Sequence, residues 1–320
     1  MTQRLSGTLA EAGEFGLVAA LTSRFPQAAD VLLGPGDDAA VVRAPGDQVV
    51  ASLDMLVQGR HFRLDWSSAA DIGHKAAAAN LSDINAMGGR PTSLLVGLAA
   101  PPELETSWAL EFADGLAEEA SSVGASVVGG DLTRADTIVV GITALGVCEH
   151  GVVRRSGARP GDVVALAGRQ GWAHAGFAVL GRGFRSPRIV VDAHRRPSPP
   201  YAAGPEAARL GATAMIDVSD GLLQDVGHVA AASGVAMDIE SSSFDVPEPL
   251  QAVGAALGVD PLRFVLTGGD DYSLVATFPP DVALPQAWRP IGRVLGGGDA
   301  GTVTVDGAAY DDPVGHQHFR

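Results

Sequence analysis

Residues 80–89 read NLSDINAMGG and close an alanine-rich run that begins near Asp71. The composition predicts a helix over residues 71–87, with Asp71 as a cap or first-turn acid and Gly88-Gly89 as the stop signal. Asp83 lies among small apolar neighbours, where an isolated carboxylate is costly unless it is paired, hydrogen-bonded or bound to a cation. Asp83 is therefore predicted to be either a polar contact within the helix or a metal ligand.

Similar acidic motifs recur along the chain, most of them at the end of an apolar run. They are Gly36-Asp37-Asp38, Ser52-Leu53-Asp54, Gly129-Gly130-Asp131, Asp217-Val218-Ser219-Asp220-Gly221 and Gly268-Gly269-Asp270-Asp271. Mg²⁺ prefers hard oxygen ligands and is commonly held by one or two carboxylates together with substrate phosphates. Glycine neighbours let the backbone approach a phosphate closely. The series predicts a site for divalent metal and phosphate, although each motif alone is also typical of turns and helix starts.

Composition limits the classes of function that need to be considered. The 320 residues, 46% hydrophobic and 18% charged, are enough for two globular domains with their own cores. A net charge of −15 argues against a nucleic-acid-binding surface. The single cysteine, Cys148, excludes an intrachain disulfide, and neither a signal-peptide core nor an apolar stretch of membrane-spanning length is present. We expect a cytoplasmic protein without membrane or nucleic-acid partners.

Two common phosphate or metal motifs are absent from the sequence. Lys75 is the only lysine, and no Gly-x-x-x-x-Gly-Lys-Ser/Thr pattern exists, which excludes a P-loop. The lack of Cys pairs and of a His-x-x-x-His arrangement argues against a zinc site. Metals held by aspartates could neutralise phosphate charge in place of a P-loop.

Apolar periodicity predicts alternating helices and strands, and hence an α/β (α+β) protein. A composition change over residues 149–162 suggests a boundary between a domain at 1–150 and another at 151–320. Residues 182–200, rich in Arg and Pro, are predicted to be irregular, and residues 220–233 to form a helix with an apolar face. Residues 264–266 belong to an apolar run that leads into Gly-Gly-Asp, and they are predicted to continue the alternation of helices and strands.

Taken together, the motifs resemble those of thiamine-monophosphate kinases. The matching segments, in chain order, are residues 34–40, 52–54, 59–62, 80–83, 129–131, 155–158, 217–222 and 268–272. They cover nearly the whole chain. The wider superfamily includes aminoimidazole ribonucleotide synthetase, selenophosphate synthetase and a hydrogenase maturation protein.

The resemblance implies a two-domain synthetase-like fold. Its N-terminal domain would bind ATP and Mg²⁺ and form a homodimer whose N-terminal strands close a β-barrel, and its C-terminal domain would be α/β. It also implies transfer of the ATP γ-phosphate to thiamine monophosphate with the help of several Mg²⁺ ions and without a phosphoenzyme. No side chain is assigned as a general base, because a phosphate oxygen can attack in line without one.

The resemblance also assigns roles to residues. The metal ligands it implies are Asp38, Ser52, Leu53 (through its carbonyl), Asp54, Asp83, Asp131, Asp217 and Asp220. The ATP contacts are Gly130, Asp131, Arg155 and Ser219, and the thiamine contacts are His61, Asp270 and His316. A core or dimer contact is the alternative for His61, and a solvated loop charge is the alternative for Arg155.

The chain departs from the family pattern at three places. Asp270 stands where the family usually has Glu, and Leu53 replaces a Thr beside the metal ligands. Residues 315–319 read GHQHF, where the family favours an aromatic residue before Asp-His-Phe. Two other interpretations remain open at this level: a superfamily member that acts on another acceptor, and a catalytically silent protein that binds nucleotide or metal.

Overall fold

The computed structural model describes residues 7–35 and 39–316, which divide into two compact units. Unit 1 contains the chain through Ile84 together with Arg90–Val147, and unit 2 contains Asn85–Gly89 and the chain from Cys148 onward. The expected boundary at residue 150 lies close to this division. Asn85–Gly89 belong to unit 2, although α3, which ends within this segment, lies mainly in unit 1. This assignment was not expected from the sequence.

Unit 1 combines a mixed sheet with four helices among its described residues. Its elements are α1 (Leu9–Ala12), α2 (Glu14–Thr22), β1 (Val31–Leu33), β2 (Val41–Val42), β3 (Val50–Val57), α3 (Ala69–Ala86), β4 (Arg90–Ala100), α4 (Thr106–Ser122), β5 (Ser126–Arg134) and β6 (Val139–Val147). The main sheet has the order β3-β6-β4-β5, with β4 and β5 parallel and the other neighbours antiparallel. Strands β1 and β2 form a separate antiparallel pair.

The helix α3 forms where the alanine-rich run predicts it. Ser68 and Asp71 exchange backbone-to-side-chain hydrogen bonds of 3.0 and 3.2 Å at its start, which is a reciprocal cap. Gly88 follows its end with a φ of 79°, a conformation that favours glycine. The prediction that Asp71 is an acid of the first turn and that Gly88 stops this helix is therefore confirmed.

Helices α3 and α4 approach each other at the backbone, and glycine makes this possible. A Cβ at Gly73 would lie 2.0 Å from the carbonyl oxygen of Phe112, and one at Gly115 would lie 2.0 Å from that of Ala70. His74 and Glu119 form a buried pair at 3.2 Å between the two helices. This packing fixes the rotation of α3 and therefore which of its side chains face β3.

Unit 2 places helices around a second sheet. Its elements are β7 (Val163–Ala167), α5 (Trp172–Gly181), α6 (Arg188–Arg195), α7 (Ala203–Leu210), β8 (Ala214–Val218), α8 (Leu222–Ser233), β9 (Ala236–Ile239), α9 (Glu248–Leu257), α10 (Pro261–Thr267), β10 (Ser273–Phe278), β11 (Trp288–Leu295), β12 (Val303–Val305) and β13 (Ala308–Ala309). The sheet order is β13-β12-β9-β11-β7-β10-β8, and β12 and β9 are parallel. Strand β8 lies at one edge, paired antiparallel with β10.

In two segments, the secondary structure differs from what the sequence predicted. Residues 182–200, predicted to be irregular, contain α6, whose Val190 and Val191 are buried against the unit 2 core. The segment 264–266 belongs to α10, capped by Asp260, whose Oδ1 accepts the Leu262 N–H at 2.9 Å. In both cases a short apolar run gave no reliable period. The apolar face predicted for α8 is confirmed, because Leu222, Leu223, Val226 and Val229 are buried.

Within residues 7–35 and 39–316, no helix is both long and apolar enough to cross a membrane.

Candidate active site

In unit 1, polar side chains of α3 meet the middle of β3. The Ser52 hydroxyl donates a hydrogen bond of 2.5 Å to Asp83 Oδ2. One turn earlier, Asn80 Oδ1 accepts the backbone N–H of Asp54 at 2.9 Å, while its amide donates to the Ala76 carbonyl. We refer to Ser52, Asp54, Asn80 and Asp83 as the β3–α3 cluster. It forms because residues three apart on a helix and two apart on a strand share a face.

The two carboxylates of this cluster are reachable by a ligand. Asp83 is half-buried and the side chain of Asp54 lies on an exposed part of β3, whereas Asn80 is fully buried. Leu53, between the two polar strand residues, is 59% exposed and lies on the opposite face of the sheet. The side chain of Leu53 is thus separate from the cluster.

Gly130 and Asp131 lie on β5, at the other edge of the same sheet. Asp54 shares a cross-strand row with Ile142, Val96 and Gly130, so about 14 Å separates the two edge strands at about 4.8 Å a step. Asp131 occupies the neighbouring row. It lines a groove of about 930 Å³, together with Leu53 and Met55, on the face away from α3. The sheet therefore does not bring Asp131 into the β3–α3 cluster.

In unit 2, β8 ends with Asp217 and Val218, and an irregular turn at residues 219–221 leads into α8; we call residues 217–221 the 217–221 loop. Asp217 is buried in β8 opposite Leu274, Ser219 is exposed, and Asp220 is half-buried. Gln224 Nε2 donates to Asp220 Oδ2 at 3.0 Å and also to the carbonyl of His316 at 2.9 Å. Three predicted site residues thus share this loop, and the backbone of His316 contacts it.

Residues 268–272 pack directly against the 217–221 loop. The N–H of Asp270 donates to the Ser219 carbonyl at 2.9 Å, and that of Tyr272 donates to the Val218 carbonyl at 3.2 Å. A Cβ on Gly269 would lie 1.9 Å from the Ser219 carbonyl oxygen, so this close approach requires glycine. Asp270 and Tyr272 have positive φ angles of 66° and 52°, a conformation that costs free energy in residues other than glycine.

The side chain of Asp270 lies between polar and aromatic groups of unit 2. Its carboxylate is 3.9 Å from His194 Nδ1, and its Oδ1 accepts a long hydrogen bond of 3.4 Å from the Tyr272 hydroxyl. The ring of His194 is in turn 5.7 Å from that of Phe177, which is 51% exposed. Neither residue was singled out from the sequence: His194 lies on α6, which was missed there, and Phe177 lies on α5 outside any of the acidic motifs.

Two buried carboxylates next to these segments have strongly shifted pKa values. Burial raises the pKa of Asp271 to about 7, against the opposing effect of the N–H groups at the start of α5, of which Ala173 donates at 3.0 Å. Burial likewise raises the pKa of Asp225 to about 7, although its carboxylate accepts three backbone N–H bonds. Both residues support the loops rather than face solvent, and Asp225 was not predicted from the sequence.

The other predicted residues are dispersed. His61 is half-buried in the turn after β3, and its Nδ1 accepts the Val57 N–H at 3.0 Å, so that any proton on the neutral ring is at Nε2. Arg155 is exposed, and its carbonyl accepts a hydrogen bond of 3.2 Å from Ser233 at the end of α8. The side chain of His316 is exposed. Asp38 lies outside the described residues.

The donor atoms fit Mg²⁺ better than a metal that needs a full protein cage. Among the described residues, no group of three or more His, Cys, Asp or Glu side chains is close enough to hold a metal alone. The β3–α3 cluster offers two carboxylates and a hydroxyl, and the 217–221 loop offers two carboxylates and a hydroxyl. Mg²⁺ usually retains several waters and takes only one or two carboxylates plus phosphate oxygens. Hard oxygen donors in such small sets are consistent with that habit.

Comparison with known proteins places this arrangement in a class of two-domain proteins. Residues 36–148 match the N-terminal domain of AIR synthase related proteins, and residues 159–300 match the C-terminal domain of the same class. The fold extends to hydrogenase maturation protein HypE, with a TM-score of 0.73 at 19% identity over 89% of this chain and 92% of HypE. That likeness concerns the fold alone.

Relatives with a higher sequence identity to this chain define a narrower family within the class of AIR synthase related proteins. A thiamine-monophosphate kinase of Mycobacterium tuberculosis is 46% identical over 98% of this chain and 94% of the relative. The crystal structure of a thiamine-monophosphate kinase from Stenotrophomonas maltophilia K279a superposes with a TM-score of 0.81, at 33% identity over 93% of this chain and 98% of that one. AaThiL complexed with AMPPCP and TMP gives 0.80 at 31% identity, over 99% of both chains. The chain belongs to the thiamine-monophosphate kinase family of enzymes.

Proposed function

We propose that this protein transfers the γ-phosphate of ATP to thiamine monophosphate and releases thiamine diphosphate and ADP. The observation that carries the proposal is the β3–α3 cluster, in which a serine hydroxyl and two aspartates converge at the spacing that the family motifs predict. The relative that binds AMPPCP and TMP supports the choice of nucleotide and acceptor. The match over nearly the whole chain supports the same activity for both units together.

In unit 1, the proposed role of the cluster is to hold divalent cations. The Ser52 hydroxyl, bonded to Asp83, holds that carboxylate in one orientation, and Asn80 fixes the backbone at Asp54. Bound Mg²⁺ would neutralise the phosphate charge that develops during in-line transfer. Asp38 and the Leu53 carbonyl are further proposed ligands of this unit. Asp131 is also a proposed ligand, but of a separate cation, because it lies on β5 about 14 Å across the sheet from β3.

In unit 2, Asp217 and Asp220 are the proposed metal ligands and Ser219 contacts ATP. Gln224 orients the Asp220 carboxylate by a hydrogen bond of 3.0 Å, which leaves one carboxylate oxygen for a cation. Arg155, Gly130 and Asp131 are the remaining proposed ATP contacts. An exposed guanidinium suits a phosphate because it donates two parallel hydrogen bonds.

The acceptor, thiamine monophosphate, is proposed to contact His61, Asp270 and His316. Asp270 is one methylene shorter than the Glu usual in the family, but its strained backbone and its neighbours Tyr272 and His194 hold it in a defined position. A carboxylate there suits the cationic thiazolium or the amino group of the pyrimidine ring. The attacking phosphate oxygen carries negative charge already, so the step needs no general base.

We also propose that the enzyme is a homodimer joined through the sheet of unit 1. The face away from α3 exposes Leu53 by 59%, Met55 by 53% and Leu95 by 39%, around the 930 Å³ groove. A contiguous exposed apolar surface of this kind marks an interface. The equivalent face of a second copy would close the sheets into a β-barrel, and sedimentation equilibrium at micromolar concentration would show twice the 32.6 kDa chain mass.

The test of the activity is an incubation of purified protein with ATP, Mg²⁺ and thiamine monophosphate, followed by chromatography of the thiamine esters. A parallel reaction with free thiamine controls for the acceptor, and one with excess chelator controls for the metal. We expect thiamine diphosphate from the monophosphate alone, and its loss on chelation. Product from free thiamine, or none from the monophosphate while ATP still binds, would contradict the proposal.

A further inference from the structure

Asp225 lies in the first turns of α8, immediately after the 217–221 loop, and is only 2% exposed. Its Oδ2 accepts three consecutive backbone N–H groups, from Ser219 at 3.1 Å, Asp220 at 3.1 Å and Gly221 at 3.0 Å. One carboxylate oxygen therefore accepts a hydrogen bond from every backbone amide of the turn between β8 and α8, residues 219–221.

Consecutive amides that point to a common centre are the usual backbone site for a phosphate oxygen. In this loop, the position that a phosphate oxygen would take is occupied by Oδ2 of Asp225. A phosphate group cannot use these three amides unless Asp225 leaves them, and leaving them would strand a carboxylate at a buried position. The loop therefore differs from a P-loop, in which the amides themselves hold the phosphates.

The carbonyl groups of the same turn are also engaged. The carbonyls of Val218, Ser219 and Asp220 accept the N–H groups of Tyr272, Asp270 and His316, at 3.2, 2.9 and 3.0 Å. The Gly221 carbonyl accepts the N–H of Asp225 itself at 2.9 Å. With both its donors and its acceptors bonded, the loop is held rigidly although residues 219–221 belong to no helix or strand, and only its side chains remain for a ligand.

We infer that Asp225 is a positioning residue that makes the 217–221 loop a cation-binding element. By occupying the loop amides, it leaves the carboxylates of Asp217 and Asp220 and the hydroxyl of Ser219 as the groups that meet a ligand. The loop thus binds a divalent cation, and nucleotide phosphate through that cation. The effect on turnover rests on the proposed function, whereas the effects on the loop and on cation binding do not.

The role requires an acceptor oxygen at the Oδ2 position. An asparagine amide supplies such an oxygen, so Asp225→Asn should preserve the three bonds. Asp225→Ala removes the acceptor from three donors, of which the Gly221 N–H is buried and those of Ser219 and Asp220 are partly buried. A matched control is Asp238→Ala in β9. Asp238 is 5% exposed and also accepts bonds from within unit 2, from Thr304 at 2.5 Å and Gly307 at 2.8 Å, but it lies away from the β8 edge of the sheet.

The experiment compares these three variants with the unaltered protein in three measurements. Hydrogen exchange of the amides at 219–221 reports the bonds, calorimetric titration with Mn²⁺ in the presence of AMPPCP reports cation binding, and kcat with the apparent KM for Mg²⁺ reports turnover. We expect protected amides in the unaltered protein and in Asp225→Asn. We expect Asp225→Ala to lose that protection and to weaken Mn²⁺ binding and raise the KM for Mg²⁺ by about 10-fold or more, as loss of an outer-shell partner does.

Asp238→Ala should lower thermal stability without changing Mn²⁺ binding or the KM for Mg²⁺. The inference would be overturned if Asp225→Ala kept cation binding within about 2-fold while losing stability like Asp238→Ala, since the role would then be structural only. Fast exchange at 219–221 in the unaltered protein would also overturn it, and this readout remains even if Asp225→Ala fails to fold. Absence of kinase turnover in the unaltered protein would instead count against the proposed function.

Discussion

The β3–α3 cluster and the 217–221 loop present similar donor atoms but are built in different ways. In the cluster, each polar side chain projects from a regular strand or helix, and the contacts run directly from Ser52 to Asp83 and from Asn80 to Asp54. In the loop, the side chains depend on a backbone held by Asp225 and by residues 268–272, far away in sequence. The first is set by secondary structure, and the second by hydrogen bonds from the nearby Asp225 together with long-range hydrogen bonds.

The difference predicts how each region responds to substitution. A change at Asp54 or Asp83 in the β3–α3 cluster should remove a ligand and leave the fold intact, because the helix and the sheet do not depend on those carboxylates. A change beneath the 217–221 loop should disturb stability and cation binding together, because the same bonds serve both. The predictions below separate these two kinds of response.

The largest effect is expected for Asp83→Asn, which keeps the shape but removes a charged ligand. We expect kcat to fall by at least about 100-fold, while the melting temperature changes little. Steady-state kinetics and calorimetry measure the two quantities. Asp71→Asn is the control on the same helix, since Asp71 only caps it, and should keep nearly full kcat; turnover within about 3-fold of normal for Asp83→Asn would remove Asp83 from the metal site.

An intermediate effect, on both stability and cation binding, is expected for Gly269→Ala, in the segment that packs against the 217–221 loop. The new Cβ would lie 1.9 Å from the Ser219 carbonyl, so the two segments must separate, at a cost of about 1–3 kcal/mol. We expect lower stability and a raised KM for Mg²⁺ in the same variant. Gly297→Ala serves as the control, because an added Cβ there meets no atom within 4 Å. Lower stability with an unchanged KM would show that the loop tolerates displacement.

The smallest effect concerns pH and Asp271. Its pKa is raised to about 7 in the folded protein, so the stabilisation it contributes is complete below its ordinary value near 4 and is lost as the pH rises through about 7. Denaturant titrations at pH 5 and pH 8 should therefore show that Asp271→Asn gains about 1–2 kcal/mol relative to the unaltered protein at the higher pH. A pH-independent difference between the two would contradict the shift.

Asp306→Asn is the control for that measurement. Hydrogen bonds from Ser241 lower the pKa of Asp306, so its contribution is present above its ordinary value and is lost only as the pH falls through the lowered pKa. Between pH 5 and pH 8, substitution of Asp306 should change stability by the same amount at every pH.

Much of the fold was predictable where patterns were long. The alanine run of α3 and the apolar face of α8 each extend over enough residues for their period to be recognised. The short helices α6 and α10 were missed because eight and seven residues in the described structure make barely two turns. Their helical state depends on burial of Val190, Val191 and Phe264 in unit 2.

The candidate site was predictable in its residue types but only partly in its arrangement. Acidic motifs beside glycines pointed to metal and phosphate, and the spacing of Asn80 and Asp83 placed both on one face of α3. The placement of Asp131 on the groove side of the sheet depends on strand register, which a sequence does not specify on its own. Asp225 could have been suspected as a carboxylate in the first turns of a helix that follows an acidic loop.

The sequence by itself determined the chemistry available to this protein, because side-chain type decides which atoms can meet a cation and because strong local periods decide which of them share a face. Only the tertiary structure decided how the 217–221 loop is held. Its shape comes from hydrogen bonds between residues 218–221 and partners as distant as Asp270, Tyr272 and His316. Such bonds have no local signature, since they form only after β8, β10 and the C-terminal segment have been packed together.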